Sequence, residues 1–398
     1  MAETHPLRGQ VSIAGFGETA FGKNLPGTAW ELAVEASLKA MEAAGVEPEE
    51  VDGIARFCSP LETVTTAAMV RGLGLRELSF FTECPLGGEA LGAVLGQAAS
   101  AILAGQASTV LVYRALSQSK GGRFGRADRG LSTTDDVIVP TEDNTAFAWP
   151  YGLVSPANLF AMMATRYMHE HHVTPDQMAQ SLGSVALAQR AYANNNPRAM
   201  MRDRPLTMDT YLDARMISWP LRLFDLCLEN DGAVAFILTS SERAKRLRTD
   251  GEPVQILAAT QSLAPYHEPF GIYTPDMTRL YPDSATERLY RNAGVTPERI
   301  KVAEMYDASS FMTVGSLESF GLVPRGEGWR HVAEKGIGLD SPLPTNTHGG
   351  HLSEAYIHGL NAVTEAMRQL RGVACNQVAG ADVAIVGGAS GTAVILGV

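Results

Sequence analysis

Cysteine is scarce and scattered in this chain. The four residues Cys58, Cys84, Cys227 and Cys375 lie far apart and form no Cys-x-x-Cys pair, which speaks against a zinc site or a disulfide framework. A cysteine with a special role here would be a nucleophile. Positive charge is short as well. The 32 Lys and Arg against 43 Asp and Glu give a formal charge of −11, so no general attraction to nucleic acid or anionic membrane is expected. No apolar run reaches the roughly 18 residues of a membrane span. Met1 to Gln10 lacks the cationic and apolar parts of a secretory signal. These absences together predict a cytoplasmic protein with no nucleic-acid or membrane partner.

What is present is globular in character: 398 residues, 45% hydrophobic and 19% charged, enough for one large core or two medium domains. Apolar β-rich runs alternate with helical stretches, beginning with Val11-Ser12-Ile13-Ala14 and a turn at Gly15 to Gly17. The fold class is therefore α/β. Thr28 to Ala44 has helical periodicity and stops at Gly45.

The string Ala44-Gly45-Val46-Glu47-Pro48-Glu49 recurs as Ala293-Gly294-Val295-Thr296-Pro297-Glu298, each between a helical pattern and an apolar run. A second pair follows in the same order. Leu103-Ala104-Gly105-Gln106-Ala107 leads to Thr109-Val110-Leu111-Val112, and Val378-Ala379-Gly380-Ala381-Asp382 leads to Val383-Ala384-Ile385-Val386. Helix, glycine stop and strand are common punctuation in any α/β chain, but two ordered matches point to duplication. The expected division is a first half at 1–240 and a second at 241–398. An inserted loop domain is expected at about 116–215, around a helical stretch from Ala157 to Tyr192.

The string Pro220-Leu221-Arg222-Leu223-Phe224-Asp225, closing with Asp231-Gly232-Ala233, resembles the end of the first half in sterol-carrier-protein-associated thiolases. Asn346-Thr347-His348-Gly349-Gly350, continuing through Gly359, resembles the thiolase Asn-x-x-Gly-Gly loop and the Gly-His-Pro segment after it. With Val11 to Gly22, the resemblance spans essentially the whole chain. It implies a five-layered αβαβα thiolase fold of two duplicated halves.

Several thiolase groups are missing. Tyr356 takes the place of the Gly-His-Pro histidine, Tyr306 that of a histidine or asparagine, and Ile385 that of the proton-carrying cysteine. Cys84 alone survives, in Glu83-Cys84-Pro85-Leu86-Gly87-Gly88, ahead of an Ala- and Gly-rich run to Ala104 that reads as a helix buried on every side. At such a helix start a thiol would be acidified. The set Glu304-Met305-Tyr306-Asp307, Tyr356, the tail Val363 to Gly372, and Tyr113-Arg114-Ala115 with the Gly-Arg-Phe-Gly at 122–125 resembles the thiolase-fold aldolases of steroid side-chain degradation. That branch implies two catalytic tyrosines, a homodimer, and a small partner subunit carrying an OB-fold.

Retro-aldol cleavage of a β-hydroxyacyl-CoA needs a base, a site for the thioester enolate and an acid, but no nucleophile. CoA enters as part of the substrate, so no separate cofactor is expected. The roles fall to Tyr306 and Tyr356, with backbone N–H groups of Gly349, Gly350, Gly387 and Gly388 as the oxyanion pocket. Each tyrosine also has the ordinary reading of a buried ring with a satisfied hydroxyl. His348 and His358 are candidate supporting groups, and Asp307 either orients Tyr306 or caps the helix starting near Ser309 and Ser310. Cys84 reads as a relic or acyl contact, since a buried free cysteine is usually an inert hydrophobe. The basic run Lys120, Arg123, Arg126 and Arg129 reads either as a CoA phosphate contact or as a solvated face. Two other functions fit the same residues: a thiolase or acyltransferase using Cys84, and a non-catalytic scaffold subunit.

Overall fold

The computed structural model describes residues 4–57, 64–84, 91–120, 149–153, 155–262, 276–388 and 391–398. Five strands of the first half are β1 (Val11–Glu18), β2 (Gly53–Phe57), β3 (Phe80–Cys84), β4 (Thr109–Ser117) and β5 (Asp231–Ser240). Four of the second are β6 (Val254–Gln261), β7 (Val302–Met305), β8 (Val383–Gly387) and β9 (Thr392–Gly397). Among the described residues they form one sheet in the order β3-β2-β4-β5-β1-β6-β9-β8-β7. Within the sheet the two halves are joined by β1 and β6, paired at Ser12 with Gln255 and Ile13 with Val254.

That order is a mirror. Reading outward from the junction gives β1-β5-β4-β2-β3 on one side and β6-β9-β8-β7 on the other, with the same parallel and antiparallel relations. The position equivalent to β3 holds an isolated parallel bridge between Ala303 and Thr345. The helices repeat too. Helix α1 (Ala29–Ala44) ends on Gly45 at φ 63° and runs through a 3-10 turn at Pro48–Glu50 into β2. Its counterpart ends on Gly294 at φ 70° and runs through Pro297–Arg299 into β7. A left-handed cap favours glycine, which explains why the string recurs.

The second repeated string is only half equivalent. Gly105 closes helix α3 (Leu91–Leu103), whereas the matching central helix of the second half, Leu360–Arg371, is closed by Gly372. Gly380 instead marks the turn into β8. The two strings share their strand entry and not their helix stop.

Three cores explain the layering. One lies between the two sheet halves and is filled by α3 and Leu360–Arg371; inward residues of β5 (Val234, Phe236, Leu238) and of β9 (Val394, Leu396) join it. Outside the first half, α1 and α2 (Thr66–Leu73) cover Ala233, Ala235 and Ile237 of β5. Outside the second half, α6 (Asp283–Ala293) and α7 (Ser310–Ser319) pack with Phe160, Met163, Leu182 and Val185 over Ile385 and Ile395. Strands covered on both faces read as near-continuous apolar runs, as β5, β8 and β9 do.

The helical stretch expected from Ala157 to Tyr192 is two helices, α4 (Pro156–Glu170) and α5 (Pro175–Asn195). Thr174 accepts from the Gln177 amide and Gln177 answers with its side chain, while Pro175 takes the first helical position. Both features start a helix, so the chain breaks there. Helix α3 is also not buried all round: Gln97 is half-buried and Ser100 exposed. That face lines a cleft of 690 Å³ shared with Phe80 and Gln261.

Candidate active site

Tyr306 follows directly on β7, where its amide donates to the Gly387 carbonyl at 2.9 Å. The preceding residue, Met305, is clamped by the Asn346 side chain, which accepts from its amide at 2.6 Å and donates to its carbonyl at 3.0 Å. Tyr356 is gripped in the same way by Asn230, accepting from its amide at 2.7 Å and donating to its carbonyl at 3.4 Å. A carboxamide carries both an acceptor and donors, so asparagine serves as a detached peptide group at each place. The clamps bring the tyrosine hydroxyls to 2.6 Å from one another. Both rings are buried, at 3% and 7% exposure.

The start of α3 reaches the same point. A Cβ built on Gly359 would lie 3.4 Å from Tyr306 and 3.6 Å from Leu91, the first residue of α3. Residues of the first half, the Tyr306 loop and the Tyr356 loop thus converge.

Two imidazoles flank the pair. His351, which sequence reasoning missed, presents its ring edge-on to Tyr306 at 5.1 Å and to Tyr356 at 5.2 Å between centroids. Its Nδ1 lies 2.9 Å from Asp307 Oδ1, and its amide donates to the same carboxylate at 3.1 Å. The signal was its place directly after Gly349-Gly350, inside the motif. His358 stands edge-on to Tyr356 at 4.9 Å, and its Nδ1 accepts from Arg114 Nε at 3.0 Å. Burial, then the Arg114 charge, hold His358 well below the usual imidazole pKa. It is a neutral ring.

Asp307 is not the N-cap of the next helix; it bonds His351, whose ring meets Tyr306 edge-on. The helix α7 is preceded by Ser309 at its N-cap position, and the Asp307 carboxylate is turned to His351 instead. Two of the four glycine amides are already spent. The amides of Gly349 and Gly388 donate to the carbonyls of Asn346 and Thr392, both at 2.9 Å, so neither is a spare oxyanion donor. A side chain on Gly350 would strike the Asp307 carboxylate, and one on Gly387 would strike Phe320 and Met305. These two are glycine because neighbours pass close.

His348 belongs to a separate cluster. Its Nδ1 lies 2.9 Å from Glu304 and its Nε2 3.9 Å from Glu354, all three buried. Burial alone would lower its pKa, but Glu354 and Glu304 outweigh that and push it up to about 10. Arg198 approaches Glu354 and Glu365 of this cluster at 3.7 and 3.8 Å.

Cys84 is the last residue of β3, and α3 begins at Leu91. Its thiol donates to Gln97 Oε1 at 3.5 Å, which also accepts from Thr82 at 2.7 Å. The sequence Pro85 to Ala90 lies outside the described residues, as do Cys58, Gly122 to Gly125 and the basic Arg123, Arg126 and Arg129. Lys120 is described, and its ammonium donates to the Leu25 carbonyl at 2.7 Å and to that of Gly27. Ile385, in place of the thiolase proton carrier, packs in the buried cluster that holds both tyrosines. Among the described residues no group of His, Cys, Asp and Glu forms a metal site, and no helix is long and apolar enough to cross a membrane.

Residues 271–396 match the family described as thiolase C-terminal domain-like. The chain is 38% identical to the 17-hydroxy-3-oxo-4-pregnene-20-carboxyl-CoA lyase of Mycobacterium tuberculosis, over 97% of each chain. It is 37% identical to a steroid side-chain-cleaving aldolase of Thermomonospora curvata, over 93% of each. Among solved structures, the Ltp2-ChsH2(DUF35) aldolase superposes with a TM-score of 0.85 at 34% identity, covering 98% of both chains. A Syntrophomonas wolfei acetyl-CoA acetyltransferase shares the fold at a TM-score of 0.66 and 16% identity.

Proposed function

The chain belongs to the thiolase-fold steroid side-chain-cleaving aldolases, and from that premise we infer that its tyrosine pair is the proton-transfer centre. The protein is a carbon–carbon lyase. It cleaves a steroid CoA thioester bearing a β-hydroxyl by retro-aldol reaction, giving a ketone and a shorter acyl-CoA.

The carrying observation for the tyrosines is the 2.6 Å contact between their buried hydroxyls. The reaction moves one proton off the β-hydroxyl and one onto the α-carbon. As the hydroxyl loses its proton the Cα–Cβ bond breaks, the β-carbon becomes the ketone, and the electron pair passes to the thioester enolate. A second proton then closes the α-carbon. Two hydroxyls in contact supply an acceptor and a donor without either leaving the site, and no cysteine is required. Ile385 at the proton-carrier position removes the group that thiolysis needs, which weighs against the acyltransferase reading.

The partner reading extends the same inference. The solved neighbour is an assembly of two kinds of chain, as its name states, and we take this protein to act as a homodimer with a small OB-fold subunit. The edge strand β3 supports the dimer: it has no outer neighbour among the described residues, and Phe81 on it is 66% exposed. Mixing the purified chain, alone and with the product of a neighbouring gene, with a steroid β-hydroxyacyl-CoA tests the whole reading. Appearance of ketone and shortened acyl-CoA in equal amounts is the expected result. Thiol-dependent acyl transfer instead would overturn it.

A further inference from the structure

Glu354 lies two residues before Tyr356, has no exposed surface and takes no part in the proton transfers described above. Its carboxylate is divided between two asparagines. Asn196, which closes α5 of the loop domain, donates to Oε1 at 2.8 Å, and Asn361, near the start of the central helix Leu360–Arg371, donates to Oε2 at 3.0 Å. Each asparagine spends its other N–H on the same loop. Asn196 donates to the His348 carbonyl at 2.8 Å, and Asn361 to the Ala355 carbonyl at 2.9 Å. The backbone is held from the same side: the amides of Met200 and Met201, just past α5, donate to the carbonyls of Glu354 and Ser353 at 3.0 and 3.1 Å.

An ionised carboxylate only accepts and a carboxamide nitrogen only donates, so the polarity of this junction is fixed from both sides. A buried ion is often replaceable by an apolar side chain of similar volume with no loss of stability. What the ion supplies here is direction. His348 Nε2 and Arg198 Nε approach it only to 3.9 and 3.7 Å, beyond hydrogen-bond reach, so the two asparagines set where it points.

We propose that Glu354 is a positioning residue for the tyrosine pair, pinning the segment before Tyr356 between the loop domain and the central helix. This rests on the aldolase reading and deepens it. Asn230 grips the backbone of Tyr356 from the first half of the fold, Asn361 takes the carbonyl just before it, and Asn196 reaches it through Glu354. Held from three sides, the hydroxyl meets that of Tyr306.

Glu354→Gln keeps the shape and tests the idea. Whichever way the new amide turns, one asparagine N–H faces another N–H, and the loop loses one of its two ties. Turnover should fall about 10- to 100-fold, the scale of a displaced catalytic group, with KM within about twofold because substrate contacts persist. Placed in Tyr356→Phe protein, the same change should leave the residual turnover nearly unaltered, since no hydroxyl remains there to position. An equal loss in both backgrounds would mark Glu354 as merely structural, and an unchanged kcat in folded Glu354→Gln would also overturn the proposal. Adding Asn196→Asp to Glu354→Gln reverses the polarity of one bond and should recover part of the loss. If Glu354→Gln does not fold, Glu354→Asp, which keeps the charge and withdraws it by one methylene, carries the same two-background comparison. A second measurement needs no substrate. With 3-fluorotyrosine at the 11 tyrosines, the fluorine resonance missing from Tyr356→Phe protein belongs to Tyr356. It should move in Glu354→Gln while that of Tyr290, identified in the same way, stays. A wild-type protein that cleaves no steroid thioester yet shows this movement would defeat the aldolase reading and spare the positioning role; an active wild type whose Tyr356 resonance is unmoved by Glu354→Gln would do the reverse.

Discussion

The hydroxyl of Tyr306 lies 2.6 Å from that of Tyr356, two side chains 50 positions apart held together in a buried site. Tyr306→Phe and Tyr356→Phe each delete one partner of that contact and keep the ring. Turnover should fall about 10²- to 10⁴-fold in each, the usual loss for a positioned acid or base. Stability should change by only about 1 kcal/mol, the net value of one hydrogen bond. Steady-state kinetics beside urea unfolding checks both, and an active double variant would refute the assignment.

Asn230 grips both backbone polar groups of Tyr356. Asn230→Ala leaves a buried amide without its acceptor, at about 1–3 kcal/mol of stability. It should also lower kcat more than it raises KM, because the ring is displaced while the remaining contacts to substrate persist. A variant with unchanged kcat would show that Tyr356 holds its place without the clamp.

The repeated glycines should not be equivalent. Gly45 and Gly294 share a left-handed conformation, but a Cβ at Gly45 would lie 2.8 Å from the Arg248 backbone oxygen, whereas at Gly294 it meets the end of the Arg8 side chain. A flexible side chain moves aside and a backbone does not. Gly45→Ala should therefore destabilise more than Gly294→Ala, by about 1–2 kcal/mol on top of the shared backbone strain. Denaturant midpoints of the two variants measure the gap.

Much of this was legible before any coordinates. The recurrence of Ala44 to Glu49 at Ala293 to Glu298 marked equivalent corners of two halves because left-handed caps demand glycine. Tyr306 and Tyr356 could be paired because the thiolase pattern fixes their places. What escaped was set by contacts across the chain. Nothing local shows that Asp307 turns from α7 to His351, that Gly349 and Gly388 spend their amides on carbonyls, or that Arg114 reaches His358 from 244 positions away. The break at Thr174-Pro175 is legible in the sequence, as a Thr-x-x-Gln capping pattern with proline at the first helical position.

The His348 cluster predicts a pH dependence of stability. In the folded protein the imidazole pKa rises from 6.5 to about 10, because Glu354 and Glu304 outweigh the effect of burial. A raised folded value means the native state holds a proton that the unfolded state releases between those limits. The stabilisation is therefore complete below about pH 6.5 and is lost as pH climbs toward 10. Unfolding midpoints of the wild type should decline across that window, and His348→Gln should flatten the decline. A parallel decline in both proteins would place the effect elsewhere.

Cys84 separates the aldolase from the acyltransferase. Its thiol donates to Gln97 Oε1, an interaction that uses the neutral S–H and not the thiolate a nucleophile must offer. It ends the strand β3. A covalent route would need that sulfur to attack the thioester, so Cys84→Ala would abolish turnover. A retro-aldol route passes the electron pair to the thioester enolate and back to carbon with protons moved by hydroxyls, and the sulfur forms no bond. Cys84→Ala should then keep most of its activity, and the intact protein should show no acyl adduct by mass spectrometry after exposure to acyl-CoA. A folded but inactive Cys84→Ala protein, together with an acyl adduct on the parent chain, would return the site to thiolase chemistry and reduce the tyrosine contact to packing.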